Sequence, residues 1–464
     1  MTGSTARQRL NIVAVMAAMS LVVLDAGLVN VALPTIARSL GVSPANAILT
    51  VSAYQAALVI GLLPSAHIAE KTGYRSLFIG GLALFSAASI LCGLAPSLPI
   101  LIVARFLQGL GGAAIMALGI ALLRFALGPD RLASAIGWNA LNVAIFSAAG
   151  PIFGALILSV APWPWLFFAK LPIIALALVT SMTLPEVEPT RRSLDYAGII
   201  LHASTAGLFL LAIGMAMAEP YLAILSGCAA IALAIILVLR ERTRNAPIWP
   251  IDLLGLRTFR VSVAASICCF VAQSAGILAL PFYIQLGLGF GPLSAGIVMA
   301  CWPLTVAVTS TIANRLAKRF GSAPLCVASG SLLSLGLLFS ALWPVQNSIA
   351  PFAVGAALSG LGFGLFQVPN NRTMFLCAPP ERSAVAGGMQ GSARLIGQTI
   401  GALLMGILMA SASNIIAPRL GLGLGAVFAV GSALISVIEL TVPMHDRQQF
   451  DRPQKPLITP GETA

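Results

Sequence analysis

Charged residues are scarce in this sequence. Only 9% of its 464 residues are Asp, Glu, Lys or Arg, whereas soluble domains carry about 25%. This shortage excludes a water-exposed globular surface for most of the chain, and 58% of the residues are hydrophobic. Because one membrane-spanning helix needs about 20 apolar residues, we expect an all-α integral membrane protein with almost no domain outside the bilayer.

Residues that bind metals or drive chemistry are also few. Three histidines are present, and the cysteines lie in or at the ends of apolar runs without paired spacing, which predicts neither a disulfide framework nor a metal site. The Gly-x-x-x-x-Gly-Lys-Ser/Thr phosphate loop is missing, so we expect neither ATP as the energy source nor any cofactor. A membrane enzyme would need clustered His, Asp or nucleophile motifs, and a receptor would need a soluble sensing domain. The sequence has neither pattern, so both are the weaker alternatives. The seven cysteines are Cys92, Cys228, Cys268, Cys269, Cys301, Cys326 and Cys377.

Long apolar runs, bounded by Pro, Gly or charge, are what the sequence does contain. They predict fourteen membrane-spanning helices. The expected spans are 11–33, 47–69, 76–95, 98–123, 133–159, 164–184, 196–217, 220–239, 261–284, 292–314, 322–343, 349–375, 384–410 and 421–443.

Lys and Arg alternate between successive loops. The amino-terminal segment and the even-numbered loops are rich in them, whereas the odd-numbered loops hold almost none apart from Arg38 and Arg419. Positive loops face the cytoplasm, so both termini are expected there. The net charge is +12, but these charges form no continuous basic face, so no nucleic-acid partner is expected. The basic loop residues are Arg7, Arg9, Lys71, Arg75, Arg124, Arg131, Arg191, Arg192, Arg240 through Arg260, Arg315, Lys318, Arg319, Arg372 and Arg382.

The two halves of the chain repeat. A shift of 248 residues superposes Gly41, Pro44, Ala47 and Gly73 on Gly289, Pro292, Ala295 and Gly321, and a shift of 251 superposes a block around Gly109 and Arg131 on one around Gly360 and Arg382. This pattern predicts two six-helix bundles with an inserted helix pair between them. The expected division is a first bundle at 1–190, the inserted pair at 191–245, a second bundle at 246–446 and a cytoplasmic tail at 447–464.

Four motifs resemble a known family over nearly the whole chain. They are Leu24-Asp25-Ala26-Gly27-Leu28-Val29-Asn30-Val31-Ala32-Leu33-Pro34, Arg105-Phe106-Leu107-Gln108-Gly109, Gly150-Pro151-Ile152-Phe153-Gly154 and Trp163-Pro164-Trp165-Leu166-Phe167-Phe168. In this order they resemble the fourteen-helix drug:proton antiporters of the major facilitator superfamily. The resemblance implies a multi-pass protein of the bacterial cytoplasmic (inner) membrane that exports drug-like small molecules in exchange for protons. A transporter of the same superfamily dedicated to a single metabolite is the alternative. We expect membrane lipid as its surroundings and function as a monomer.

Asp25 is the one carboxylate well inside the apolar spans of the first half. An unpaired charge there costs at least about 2.5–3.5 kcal/mol, and burial favours the protonated form, so Asp25 is a candidate proton carrier. A structural ion pair or an interhelical hydrogen bond is the alternative. Helix rise places Arg105 in the same layer, about 10–12 Å below the outer surface, where it could stabilise ionised Asp25 or be purely structural. The resemblance implies proton coupling by Asp25, Arg105 and Gln108.

Two further motifs have structural and functional interpretations. The stretch Gly150-Pro151-x-x-Gly154 favours close helix packing around a kink, and the resemblance implies the antiporter motif there. The loop residues Glu70, Lys71, Gly73 and Arg75 resemble the superfamily's cytoplasmic gate, with Glu70 and Lys71 replacing the usual Asp and Arg.

Polar residues on other spans could line a substrate cavity. Each alone is as consistent with an interhelical hydrogen bond, whereas together they suit a large, sparsely polar pocket. Arg394 lies near mid-membrane, where a cation needs a carboxylate, carbonyls or water. Lys170 and Pro164 depart from the family's sixth-span motif and are expected to shape the outer vestibule. The cavity candidates are Asn30, Tyr54, Gln55, Asn139, Asn142, Gln273, Gln367, Gln390 and Arg394, with Tyr283 as a further polar aromatic residue.

Overall fold

The structure, a computed structural model, describes residues 2–127, 129–186, 195–215, 219–241, 251–344, 348–378 and 383–440. All regular secondary structure in these ranges is helical, as the apolar runs predict. Several predicted loop residues lie outside the described part of the chain. These are Arg191, Arg192, Arg382 and the tail at 447–464; Arg131 is described only in its backbone.

Seven helices form the first part of the chain. They are α1 (Thr2–Leu40), α2 (Pro44–Thr72), α3 (Tyr74–Gly93), α4 (Leu98–Leu127), α5 (Pro129–Val160), α6 (Trp165–Phe168) and α7 (Leu171–Ser181). The next two, α8 (Tyr196–Met215) and α9 (Pro220–Glu241), pack against each other. Their ends are joined by Arg240, whose two Nη atoms donate to the carboxylate of Asp195 at 2.6 and 2.7 Å.

The remaining elements pack as a second bundle. They are α10 (Ile251–Gly255), α11 (Arg257–Phe282) with a π-helical extension (Tyr283–Gly287), α12 (Pro292–Phe320), α13 (Ser322–Leu342), α14 (Ala350–Cys377), α15 (Ser383–Ser411) and α16 (Ile416–Leu440). Within the described ranges, twelve helices are long and apolar enough to cross a membrane. Two of the expected spans, 164–184 and 196–217, correspond to shorter apolar helices, Trp165–Ser181 and Tyr196–Ala212. The chain is therefore an integral membrane protein.

The structure corrects two expectations about the spans. Pro34, which closes the first expected span, lies inside α1, and Pro64, Pro281, Pro303 and Pro369 likewise lie inside helices. Neighbouring helices in a membrane protein can satisfy the backbone groups that proline frees, so proline is a weak helix terminator there. The expected sixth span at 164–184 is also discontinuous, because a turn at Ala169 and Lys170 separates α6 from α7.

Glycines of positive φ mark corresponding turns in the two halves. Gly41 has a φ of 63° and Gly289 a φ of 74°, whereas Gly73 and Gly321 have 91° and 88°. Both pairs are 248 residues apart (289 − 41 and 321 − 73), which is the shift of the predicted repeat. L side chains rarely adopt this conformation, so glycine is required at these turns. The same local backbone thus recurs at both copies.

The chain crosses between two faces, one of which is basic. We call the end where α2 meets α3 the basic face, since it carries Lys71, Arg124, Arg240, Lys318 and Arg319, and the other end the opposite face. At the opposite face, one apolar cluster joins both halves and includes Val31 of α1 and Ile284 after α11.

Packing at the basic face is divided between the halves. One cluster there consists of first-half residues together with Leu395 and Ile396 of α15 and Ala206 of α8, and another consists of second-half residues only. The halves therefore share their apolar packing mainly at the opposite face, where Gln285 Nε2 also donates to the Val31 carbonyl at 2.9 Å.

Candidate functional site

The carboxylate of Asp25 is buried at the centre of an ion cluster. Its exposed fraction is 0%, and those of Arg105 and Lys170 are 1% each. Oδ2 accepts from Arg105 Nη1 at 2.5 Å, whereas Oδ1 accepts from Lys170 Nζ and, at 3.2 Å, from Gln108 Nε2. The structure thus brings together the three sequence-predicted residues, Asp25, Arg105 and Gln108, and adds Lys170.

Gln108 orients Arg105 from the same helix. The two residues are three positions apart on α4, so their side chains share a face, and Arg105 Nη1 donates to Gln108 Oε1 at 2.6 Å. Gln108 Nε2 also donates to Ser89 Oγ at 2.8 Å. The ring of Tyr54 also contacts Arg105, with the ring centroid 4.2 Å from the Cζ atom of the guanidinium group. This geometry fixes the guanidinium towards Asp25.

Lys170 completes the ion cluster around Asp25. It lies in the turn between α6 and α7, and its Nζ is 4.8 Å from the ring centroid of Phe167 and 5.7 Å from that of Phe85. Aromatic faces stabilise a desolvated cation. The expectation that Lys170 shapes an outer vestibule is therefore corrected, since its ammonium group points inward to an ion pair.

Charge balance sets what this cluster can do chemically. One carboxylate and two cations give a net charge of +1 in a region closed to water. Arg keeps its proton in proteins, so only Asp25 and Lys170 can change protonation. The cluster can therefore take up or release a proton, and either event would break an ion pair that joins α1 to another helix.

The glycine-proline motif packs against α1 within one helical turn of Asp25. A β-carbon at Gly27 of α1 would lie 2.9 Å from Gly150 Cα, and one at Gly154 would lie 2.7 Å from Val31 Cγ1. On the other side of α5, a β-carbon at Gly296 of α12 would lie 2.7 Å from the Pro151 carbonyl oxygen. The motif thus forms the seam between α1 and the second half.

The predicted gate residues lie at the basic face. Gly73 separates α2 from α3 and donates its N–H to the Ala69 carbonyl at 2.9 Å. Arg75 forms a 2.6 Å ion pair with Glu186 of the first half, and Lys71 Nζ donates to Tyr196 Oη of α8 at 3.2 Å. Glu70 also lies at this end of α2. Arg75 therefore contacts the first half, and Lys71 contacts the α8–α9 pair.

The cavity candidates separate into two groups. Asn142 is tied to α1, because it accepts from Ser20 Oγ at 2.9 Å and donates to the Met16 carbonyl at 3.1 Å, and Tyr54 stacks on Arg105. Gln273 accepts from Gln398 Nε2 at 3.2 Å, and Gln367 and Gln390 are half-buried. In the other group, a buried polar atom has no hydrogen-bond partner among the described residues. These residues are Asn30, Gln55, Asn139 and Arg394, together with Tyr54 and Tyr283 through their hydroxyl groups.

Comparison with known proteins agrees with this architecture. A solved structure of a POT family transporter in complex with 5-aminolevulinic acid matches with a TM-score of 0.71 at 16% sequence identity, covering 94% of this chain and 95% of that one. At this identity the match shows the fold alone.

Curated relatives match over most of their lengths. An uncharacterised transporter, YebQ of Escherichia coli K12, is 36% identical over 437 residues, which are 93% of this chain and 95% of YebQ. The riboflavin transporter RibZ of Clostridioides difficile is 28% identical and covers 82% and 83%, and the multidrug resistance protein Stp of Mycobacterium tuberculosis is 29% identical and covers 87% and 76%.

A family model matches the chain on two overlapping segments. Its description is Major Facilitator Superfamily, and the segments are residues 15–402 and 262–460. The resemblance seen in the motifs is thereby confirmed at the level of the superfamily, whose members are transporters and not enzymes. This chain belongs to the Major Facilitator Superfamily.

Proposed function

We propose that this transporter is a proton-coupled antiporter that exports amphipathic or lipophilic compounds from the cytoplasm of a bacterium. The proposal includes fourteen spans, with α6–α7 and α8 crossing the membrane in addition to the twelve long helices. It also includes the division of the chain into two six-helix bundles and an inserted pair. The basic face would be cytoplasmic, because positive loops are retained on that side, and both termini would then lie in the cytoplasm.

One observation carries the proposal, namely the buried ion cluster of Asp25, Arg105 and Lys170. Ionisable groups inside a membrane bundle are costly and are found on ion pathways and proton relays. The cluster links α1, α4 and the α6–α7 break, so a change of protonation would alter how these segments pack. Because the Gly27–Gly150 contact lies beside Asp25, that change would reach the seam between the halves.

The exchanged proton can be carried by either of two groups, the carboxylate of Asp25 or the ammonium group of Lys170. Protonation of Asp25 would leave two buried cations without a carboxylate, whereas loss of a proton from Lys170 would leave a neutral Arg105–Asp25 pair. In the arrangement described above, release from Lys170 is the less costly event. Protonation of Asp25 then requires a state in which at least one cation has moved away from it.

The packing of the halves supports alternating access. The joined apolar cluster closes the opposite face, and the divided clusters at the basic face leave room for a cavity between the halves. Substrate would therefore enter this state from the cytoplasm. In the other state, the contact between Gln285 and Val31 would open and the basic face would close.

A transporter dedicated to one metabolite is the second candidate, favoured by the similarity to the riboflavin transporter.

Efflux of the neutral lipophilic dye Nile red from preloaded cells would test the main proposal. We expect efflux to stop when a protonophore collapses the pH gradient and in the Asp25→Asn variant. Undiminished efflux under both conditions would contradict proton coupling. Competition by several unrelated dyes is expected from a multidrug exporter, whereas competition by riboflavin alone would favour the dedicated transporter.

A further inference from the structure

Arg394 is a half-buried cation that has no carboxylate partner among the described residues. Its Nε atom is buried without a hydrogen-bond partner in that part of the chain, and Arg394 takes part in none of the ion pairs found there. Between Arg257 and Ile438 the sequence contains one carboxylate, Glu381, which lies in the connection between α14 and α15. An uncompensated guanidinium near mid-membrane is costly, so a negatively charged group from elsewhere would be stabilised beside it.

The helix register of α15 directs Arg394 into the space between the halves. One side of α15 packs on α2, since a β-carbon at Gly391 would lie 3.3 Å from Leu62 Cδ2. Another side packs on α11, since a β-carbon at Gly397 would lie 2.6 Å from the Ile267 carbonyl oxygen. At 100° per residue, Arg394 lies between these two sides.

The far side of α15 is already covered. Ile396, about 160° around the helix from Arg394, is packed in a cluster that also includes Ala206 of α8. Helix α8 contacts both α2 and α15. Arg394 therefore faces the gap between α2 and α11 and not the inserted pair.

Polar amides flank Arg394 on the same face. Gln390 and Gln398 lie one turn before and one turn after it, and Gln398 Nε2 donates to Gln273 of α11 at 3.2 Å. The contacts of Gly391 with Leu62 and of Gly406 with Ile48 fix an antiparallel register in which Gln55 is level with Gln398. Amide groups beside a guanidinium offer further donors to a bound oxyanion.

The first half adds no negative charge to this cavity. Its one deeply buried carboxylate, Asp25, is occupied by Arg105 and Lys170, and the ion cluster carries a net positive charge. A cationic compound would thus meet an electrostatic barrier in both halves, whereas an anion would be attracted by both.

We propose that Arg394 is an anion-binding subsite of the transport cavity and that the preferred substrates are amphipathic monoanions such as aromatic carboxylates. The inference rests on the proposed transport function and specifies its substrate class. Arg394 would hold the carboxylate through two Nη–H donors, Gln390 and Gln398 would orient it, and the apolar walls would accept the aromatic body.

Binding to the purified full-length protein in phosphatidylcholine nanodiscs tests this subsite. The probes are three matched sets, built on naphthalene, biphenyl and anthracene, each with a carboxylate, a neutral carboxamide and a methylammonium member. We expect the carboxylate of at least one set to bind about tenfold more tightly than its carboxamide, and the methylammonium member to bind most weakly. Arg394→Gln should remove this preference, and Arg394→Lys should retain part of it. Arg319→Gln, which removes an exposed charge from the basic face, is the matched control.

Equal affinity for the three charge classes in every set, preference for the cation, or an unchanged preference in Arg394→Gln would overturn the proposal. A thermal unfolding midpoint close to that of the wild type reports that the variant has folded. The binding measurement in nanodiscs needs no proton gradient, so its result is independent of the Asp25 efflux test. Anion preference without proton-driven efflux would refute only the proposed coupling, and efflux without anion preference would refute only the subsite.

Discussion

The ammonium group of Lys170 binds the Oδ1 oxygen of Asp25, although the two residues are 145 positions apart in the chain. This contact makes the candidate coupling site a cluster of three charges instead of a pair. It follows that substitutions at the three positions should not have additive effects, because each one changes the charge balance of the other two.

Asp25→Asn should impair both stability and coupling. The variant leaves two buried cations without a carboxylate, and breaking a buried ion pair in this way costs about 3–5 kcal/mol. We expect a lower midpoint of thermal unfolding in detergent and loss of gradient-driven efflux. The double variant Asp25→Asn with Lys170→Met restores the net charge of +1 but leaves Arg105 without its carboxylate, so its unfolding midpoint should recover in part while efflux stays lost. Recovery of efflux in the double variant would show that neither group is needed for coupling.

Lys170→Arg separates charge from proton exchange. Arginine retains the cation but keeps its proton, so an exchangeable proton on Lys170 predicts more than a tenfold loss of proton-driven uptake into everted vesicles, with substrate binding retained. Lys170→Met should fold with near wild-type stability, since it leaves a neutral Arg105–Asp25 pair, and should also lose coupling. Normal coupled transport by Lys170→Arg would place the exchanged proton on Asp25 alone.

Sequence reasoning located part of this cluster and missed the rest for identifiable reasons. Asp25 and Arg105 were placed in one layer by counting helix rise from the outer surface. The same count for Lys170, six residues into the expected span at 164–184, gives a depth of about 9 Å and would have placed it in that layer. The turn between α6 and α7 was not predicted, although Lys170 and Pro172 interrupt the apolar run there.

The sequence also did not predict how each helix is rotated about its own axis. Asn142 and Arg394 were both cavity candidates on apolar spans, yet Asn142 is hydrogen-bonded to α1 whereas Arg394 faces the gap between α2 and α11. Apolar residues surround each of them in the sequence, so the amphipathic pattern that orients a helix in a soluble protein is too weak to orient these helices. The rotation of each helix about its own axis is determined by how its small residues pack against the neighbouring helices.

Gly150→Ala tests the backbone contact at the glycine-proline motif. The added methyl group would lie 3.0 Å from Gly27 Cα and 3.1 Å from the Leu24 carbonyl oxygen, so α5 would have to move away from α1. Overpacking of this kind costs about 1–3 kcal/mol, which should lower the thermal unfolding midpoint by several degrees. Gly80→Ala is the control, because a β-carbon there meets nothing within 4 Å, and it should leave the midpoint unchanged or raise it. Equal behaviour of the two variants would mean that the close approach is not tight in solution.

Gln285→Leu should favour opening of the opposite face. The variant removes the hydrogen bond from Gln285 Nε2 to the Val31 carbonyl, which joins the halves. One such bond contributes about 0.5–1.5 kcal/mol, enough to shift the two conformations by roughly two- to tenfold. Asn46 and Leu293 are both exposed and lie on different halves. Spin labels at these two positions would report the separation of the halves at this face by pulsed electron paramagnetic resonance. We expect a larger fraction of long distances in Gln285→Leu, whereas Gln285→Glu, which cannot donate when ionised and would bury a charge against a carbonyl, should increase that fraction further. A distance distribution identical in the wild type and both variants would show that this contact does not hold the opposite face closed.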